Sequence, residues 1–337
     1  MNKIYRLFAL FAVIMAFNVV SGQTPGTGKP IGEIYADFHA KFNDSISTTG
    51  FDINRAFLGY NYFLENNLSA KVVVNGAGSP NDAGAGAARR RYAHLREASL
   101  AWTNEKLTLT FGLTETRLFG SQQRWWGKRY LAADVQSMHG YGFVSDLGVV
   151  LDYKFNDIFS GDITVMNGEG FYELQLDNNV KSSLGLIITP NQNFMFRIYG
   201  DHYRIPGLNQ LTGVVFAGYK NKYFYVGADY SYKSNAGGIS GYNIWAISTL
   251  NGVYLTQKDE LFFRFDYAES FGAQLVGVGK PTNEQRWDLR DGTFTIVGLQ
   301  HTFSPNIKLT LNYQGTHPYS DLVQNRDLIY VNAHFRF

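Results

Sequence analysis

Arg55, Lys71, Arg96, Arg197, Arg264 and Arg336 each stand in a stretch where apolar residues recur at every second position, and Glu33, Asp37, Glu97, Asp162, Asp201, Asp229 and Asp266 share that setting. A denser group lies between Glu115 and Gly142, where Arg117, Arg124, Lys128 and Arg129 gather with Glu115 and Asp134. Charges spaced this way are suited to guiding ions rather than making bonds. Fixed in a narrow passage with low-dielectric walls, they raise barriers of opposite sign for anions and cations. Bond-making constellations do not emerge. The seven histidines include no i, i+4 pair on a helix and the chain has no cysteine, so no metal and no cofactor is expected. There is no G-x-S-x-G elbow, and GVGKPT at 277–282 places Pro281 directly after its lysine, which reads as a loop rather than a phosphate cradle. The chain is therefore not expected to be an enzyme.

Elements that hold single charges between apolar residues need one wet and one greasy face. The C-terminal stretch DLIYVNAHFRF has that form: Ile329, Val331, Ala333, Phe335 and Phe337 alternate with Tyr330, Asn332, His334 and Arg336. This period of two is the signature of a strand. A strand so apolar needs both edges paired, and closure into a barrel supplies that. The same alternation starts at Ile31, with Ile34, Ala36, Phe38 and Ala40 opposite Glu33, Tyr35, Asp37, His39 and Lys41. It recurs along the chain, interrupted by seven tight polar turns such as Asn104-Glu105-Lys106 and by eight longer connections, of which Glu115 to Gly142 is the longest. Seven short and eight long connections predict an all-β fold of about sixteen antiparallel strands, with both termini on the short-turn side. The segments 242–254 and 293–303 leave their register open, and a bulge could sit in either.

An arginine facing hydrocarbon at mid-depth costs about 2–4 kcal/mol, which assigns Arg55, Lys71, Arg96, Arg197 and Arg264, with Glu97, Asp229 and Asp266, to the lumen. The residues Phe63, Trp102, Phe155, Phe194, Tyr219, Tyr223, Phe303 and Phe337 all fall near the short turns. Amphipathic aromatics at one level are what a membrane interface selects, so the barrel is expected to cross a membrane. At the start, Lys3 and Arg6 precede an apolar run from Leu7 to Val20 and the small residues Ser21-Gly22, which reads as a signal peptide over 1–22, followed by a leader over 23–30 and the barrel over 31–337. Without Lys3 and Arg6 the 30 basic residues fall to match the 28 acidic ones, a balance that argues against nucleic acid as a partner. Arg89-Arg90-Arg91 reads as a solvated or lipopolysaccharide-facing patch.

Local phrases, FDINRAFLGYNYFLENNLSAKVVV, TFGLTETRLFG followed by WWGKRYL, and VMNGEGF, resemble the outer-membrane porins of Bacteroidetes-type bacteria, related to the phosphate-selective porin O/P group. The resemblance implies a localisation in the outer membrane among lipid and lipopolysaccharide, and a third long connection folded into the lumen as a constriction. It also implies a terminal Phe337, with Phe335 beside it, read by the barrel-assembly machinery, and a homotrimer. The expected function is passive diffusion of small hydrophilic solutes or ions, with Glu115, Arg117, Arg124, Lys128, Arg129 and Asp134 at the constriction. Trp125-Trp126 either stacks on sugar rings or anchors the loop to the wall. The other reading is a plugged or closed barrel that binds at the surface as an adhesin, through Gly76 to Tyr92 and Glu269 to Gly292.

Overall fold

The computed structural model describes residues 26–41, 49–76, 93–171, 173–175, 177–205, 207–272, 291–320 and 323–337. The first half of the wall comprises β1 (Thr27–Lys41), β2 (Thr49–Phe63), β3 (Leu68–Asn75), β4 (His94–Thr103), β5 (Leu107–Glu115), β6 (Ser145–Lys154), β7 (Phe159–Met166) and β8 (Lys181–Ile188). The second comprises β9 (Phe194–Ile205), β10 (Leu208–Lys220), β11 (Phe224–Ser234), β12 (Tyr242–Tyr254), β13 (Asp259–Gly272), β14 (Gly292–Ser304), β15 (Ile307–Pro318) and β16 (Arg326–Arg336). Each strand pairs antiparallel with its chain neighbours, and β16 pairs with β1, so the sheet is a closed barrel of sixteen strands. Closure leaves no unpaired backbone edge, which is what a strand wall in lipid requires.

The seam that closes the barrel runs from Glu33 opposite Arg336 to Lys41 opposite Leu328. Beyond it, Phe337 N–H donates to the Gly32 carbonyl at 2.9 Å and Gly32 N–H to the Phe337 carbonyl at 3.2 Å. The Phe337 ring covers Gly32 so closely that a Cβ there would come within 2.3 Å of it. The first strand begins at Thr27, so 27–30 belong to the wall rather than to a leader. Residues 1–25, where the signal peptide and the start of the leader are expected, Arg89-Arg90-Arg91 and most of 76–92 and 269–292 lie outside the described residues.

Outward positions such as Leu58, Phe111, Leu184, Ile198, Val215 and Leu311 are exposed apolar side chains. A continuous band of this kind is stable only against lipid. Phe155, Phe194, Tyr223, Phe303 and Phe337 stand exposed near the short-turn rim. One of the eight connections expected to be longer, Arg204 to Gln210 between β9 and β10, is a tight turn: Leu208 pairs directly with Ile205. Of the two open registers, β14 does shift, between Thr302 and Ser304 opposite β15, while β12 runs unbroken with Tyr242, Ile244, Ala246, Ser248 and Leu250 inward. Another shift, at Val73/Val74 opposite Leu95 to Glu97, makes Arg96 the extra residue of a bulge. The bulge is how the neighbours Arg96 and Glu97 can both serve the inside.

Candidate functional site: a loop seated in the lumen

The segment that leaves β5 at Glu115 does not stay outside. It forms α1 (Gly120–Trp126), turns at Gly127 with φ +71°, and forms α2 (Val135–Met138) after Asp134. Gly127 is required there because its φ lies in the left-handed region, where a Cβ is strained. Asp134 caps α2 by accepting from Ser137 N–H at 2.9 Å. The base closes where Thr116 N–H meets the Val144 carbonyl at 3.1 Å.

Fastenings run from this loop to the inner wall of the second half. Trp125 lies over Gly218 and Gly227, a cross-strand glycine pair in which added Cβ atoms would come within 2.6 and 2.7 Å of its ring. Phe216 and Tyr225 meet that ring edge-on, and Lys220 Nζ donates to the Trp125 carbonyl at 2.8 Å. Lys128 forms a buried ion pair with Glu260 of β13, whose Oε1 also accepts from the Tyr225 hydroxyl at 2.6 Å. Arg264 holds Asp266, donates to the Ala133 carbonyl at 2.6 Å and packs over the Trp126 ring at 5.1 Å. Gln136 donates to Asp229 Oδ1 at 3.0 Å and Ser231 Oγ at 2.8 Å.

The far end of the loop crosses to the seam. Tyr130 donates to Gln300 Oε1 at 2.7 Å, and its ring stacks at 5.1 Å on His334, which in turn holds Glu33 at 2.7 Å. At the near end, Arg117 takes Asp152 bidentately at 2.9 and 2.7 Å, while its carbonyl accepts from Arg197, itself paired with Asp162 at 2.7 Å. Apolar contact completes the seating: Leu118, Phe119, Val135 and Tyr141 pack against Tyr199, Val214 and Ile244, and Trp126, Tyr130 and Leu131 belong with Phe216, Leu250, Phe262, Phe294 and Ile296. Each such buried side chain contributes about 1.5–3 kcal/mol.

The expected site residues therefore separate into groups. Arg197, Asp229, Arg264 and Asp266 lie buried beneath the loop. On the opposite wall, Lys71 and Glu97 pair at 2.7 Å and Arg96 donates to Ser145 Oγ; Arg55 faces inward on β2, opposite Tyr35. Within the loop, the Lys128 side chain is 4% exposed, Arg129 lies 3.9 Å from a largely buried Asp134, and Arg117 is held by Asp152. Arg124 is 62% exposed and meets Glu115, 39% exposed, at 3.0 Å. Exposed pairs of this kind are worth about 0–1 kcal/mol, so their charges remain available to a passing ion. The fasteners Tyr130, Gln136 and Glu260 were not among the expected site residues, whereas anchoring was one of the two roles expected of Trp125. The cross-strand Gly218 and Gly227, placed about the Asn221-Lys222 turn, are the sequence signal that marks the Trp125 slot. Trp125 and Trp126 thus anchor the loop to the wall. Among the described residues no group of three His, Cys, Asp or Glu side chains gathers as a metal site.

A closed sixteen-strand barrel with an inward-folded third loop is the architecture of the outer-membrane porins. Solved structures that match along nearly the whole chain are of that kind. Salmonella typhi OmpF, in complex with daunomycin, superposes with a TM-score of 0.67 at 12% identity, covering 93% of this chain and 98% of its own. The outer-membrane channel DcaP of Acinetobacter baumannii gives 0.62 at 12% identity, covering 94% and 99%. The trimer form of Vibrio cholerae OmpT, an outer-membrane protein, gives 0.60 at 15% identity, covering 93% and 100%. Identities this low carry the fold alone. No family model and no curated protein matches the chain.

Proposed function

We propose that the protein is a passive diffusion channel of the outer membrane for small hydrophilic solutes or ions, narrowed by the loop from Glu115 to Gly142. The observation that carries this reading is the one-sidedness of the seating. The loop is fastened to the inner wall of β9 to β16, to Tyr35 of β1 beyond the seam and, at its base, to Asp152 of β6, while the wall of β3 to β5 keeps polar, partly exposed side chains such as Lys71, 37% exposed. A plug would be expected to fasten all round. Solutes would pass between that wall and the exposed Arg124 and Glu115, in a lumen of balanced charge. The relation to Bacteroidetes-type and phosphate-selective porins belongs with this proposal, as does a homotrimer, the state named for the Vibrio cholerae OmpT structure. Assembly would read Phe335 and Phe337, and lipopolysaccharide would meet the long-loop end.

Planar-bilayer recording on the refolded full chain tests the reading. Ohmic steps are expected, along with liposome swelling that falls as sugar size rises. Absence of both would overturn it in favour of a closed barrel acting as a surface binder.

A further inference from the structure

At the end of the barrel joined by the long connections, beside the two ends of the seated loop, a cavity of about 330 Å³ opens among the starts of β6, β8 and β10 and the ends of β7, β9 and β11. That volume is in the range of small-ligand sites. Its apolar walls come from the rings of Tyr141, Tyr199, Tyr203 and Phe143, with Met166 and Leu118 beside them. Glycines thin the wall where backbone and rings meet. A Cβ at Gly168, φ +111°, would lie 2.5 Å from the Tyr203 ring, and one at Gly142 would lie 2.9 Å from Leu118.

The polar groups converge unequally. Two ammonium groups line the cavity, Lys181 and Lys233, against the carboxylate of Asp146. Both Asp146 oxygens are already engaged, Oδ1 by Leu147 N–H at 2.8 Å and Oδ2 by Gly168 N–H at 2.7 Å. Lys181 pairs with Asp201 at 2.9 Å, and Lys233 donates to the carbonyls of Gly140 and Tyr141 at 3.1 Å each. An ammonium has three N–H donors, so both lysines keep donor capacity after these bonds. Both oxygens of the lining carboxylate, Asp146, are engaged, so the uncommitted polar capacity lies with the two lysines, beside a slot for a ring.

We propose that this cavity binds a small organic anion consisting of one six-membered ring and one carboxylate, the ring among the tyrosines and the carboxylate between Lys181 and Lys233. The inference adds a solute class to the channel reading, as a station met before the narrow part, but binding itself does not depend on conduction. Fluorine NMR of 4-fluorobenzoate with the folded full chain in detergent micelles tests it, with 4-fluorobenzyl alcohol and glucose as uncharged competitors. Saturable binding is expected, at least tenfold tighter than for the alcohol and not displaced by millimolar glucose. Lys181→Gln should weaken it at least tenfold and Lys181→Arg should restore most of the loss. Tyr203→Leu, at the partly exposed rim, should weaken it severalfold and keeps the test alive should Lys181→Gln fail to fold. Equal affinity for acid and alcohol, displacement by glucose, or unchanged binding in both Lys181→Gln and Tyr203→Leu would overturn the site. A protein that conducts without binding sinks the site alone, and one that binds without conducting sinks the channel alone.

Discussion

The wall from β9 to β14 and the wall from β2 to β5 follow one strand pattern and use its inner face in opposite ways. The former turns Tyr199, Phe216, Tyr225, Ile244, Leu250, Phe262 and Ile296 inward, and the loop covers them. The latter turns Arg55, Lys71, Glu97, Ser99, Thr108 and Thr110 inward. The inward apolar residues of the former wall thus mark protein inside. The inward charges on that covered side, Arg197, Asp229, Arg264 and Asp266, are each paired or hydrogen-bonded beneath the loop. Left unpaired there, they would carry the cost of buried charge.

The two walls can exist only while the seam between β16 and β1 holds, and breaking it should have the largest effect. Deleting Phe337 removes two backbone bonds to Gly32 and the ring that covers it. Surface levels of the folded barrel should fall by most of their normal value, and Gly32→Val should reproduce much of that loss. Normal levels of both variants by heat-modifiable gel mobility would show that closure does not depend on this contact.

Next in size is Arg264→Met, which strikes the covered wall alone. It leaves Asp266 without its cation and the Ala133 carbonyl without its donor in a buried site. Removing one partner of a buried pair costs about 3–5 kcal/mol. A lowered denaturant midpoint with larger, noisier conductance is expected as the loop loosens, whereas Ser99→Ala on the open wall should shift the midpoint little. Equal losses from the two would erase the distinction between the walls.

Gly218→Val should have a smaller and more local effect. Its side chain would enter the space of the Trp125 ring, while at Gly213, on the same strand, an added Cβ meets nothing within 4 Å. Gly218→Val should therefore raise conductance by unseating α1, and Gly213→Val should leave it unchanged. Equal conductance in the two variants would mean that Trp125 does not hold the loop.

Much of this contrast was legible beforehand, and the part that was not has a physical cause. The strand count, the order of short and long connections apart from the tight turn between β9 and β10, and the assignment of charges to the inside follow from the period of two and the cost of charge in lipid. The register of 242–254 stayed open because β12 is apolar on both faces, Ile247 and Val253 to the outside and Ile244, Ala246 and Leu250 to the loop. Periodicity cannot separate lipid from buried protein, since both select the same side chains. For the same reason the loop's charges could be listed but not ranked. Exposure depends on which wall the loop lies against, and no spacing within 115–142 encodes that.

Ranking those charges gives the smallest effect and the sharpest test. Arg124 faces open space beside Glu115, so Arg124→Gln should lower anion preference modestly, read as a reversal-potential shift of a few millivolts under a salt gradient. Lys128 is as basic on paper, yet burial pulls its ammonium down to about 8, with the Glu260 carboxylate pulling the other way. Because that value lies below the ordinary 10.5, the seated loop holds fewer protons than an unseated one between about pH 8 and 10.5. Seating should therefore strengthen as pH rises through that window, with quieter conductance. Selectivity should not follow, because a charge out of contact with the permeating ion can be discharged without altering its barrier. The double variant Lys128→Met, Glu260→Gln should likewise leave the reversal potential in place. A reversal potential that tracks pH through about 8, or moves in the double variant as far as in Arg124→Gln, would put the covered wall in the ion's path.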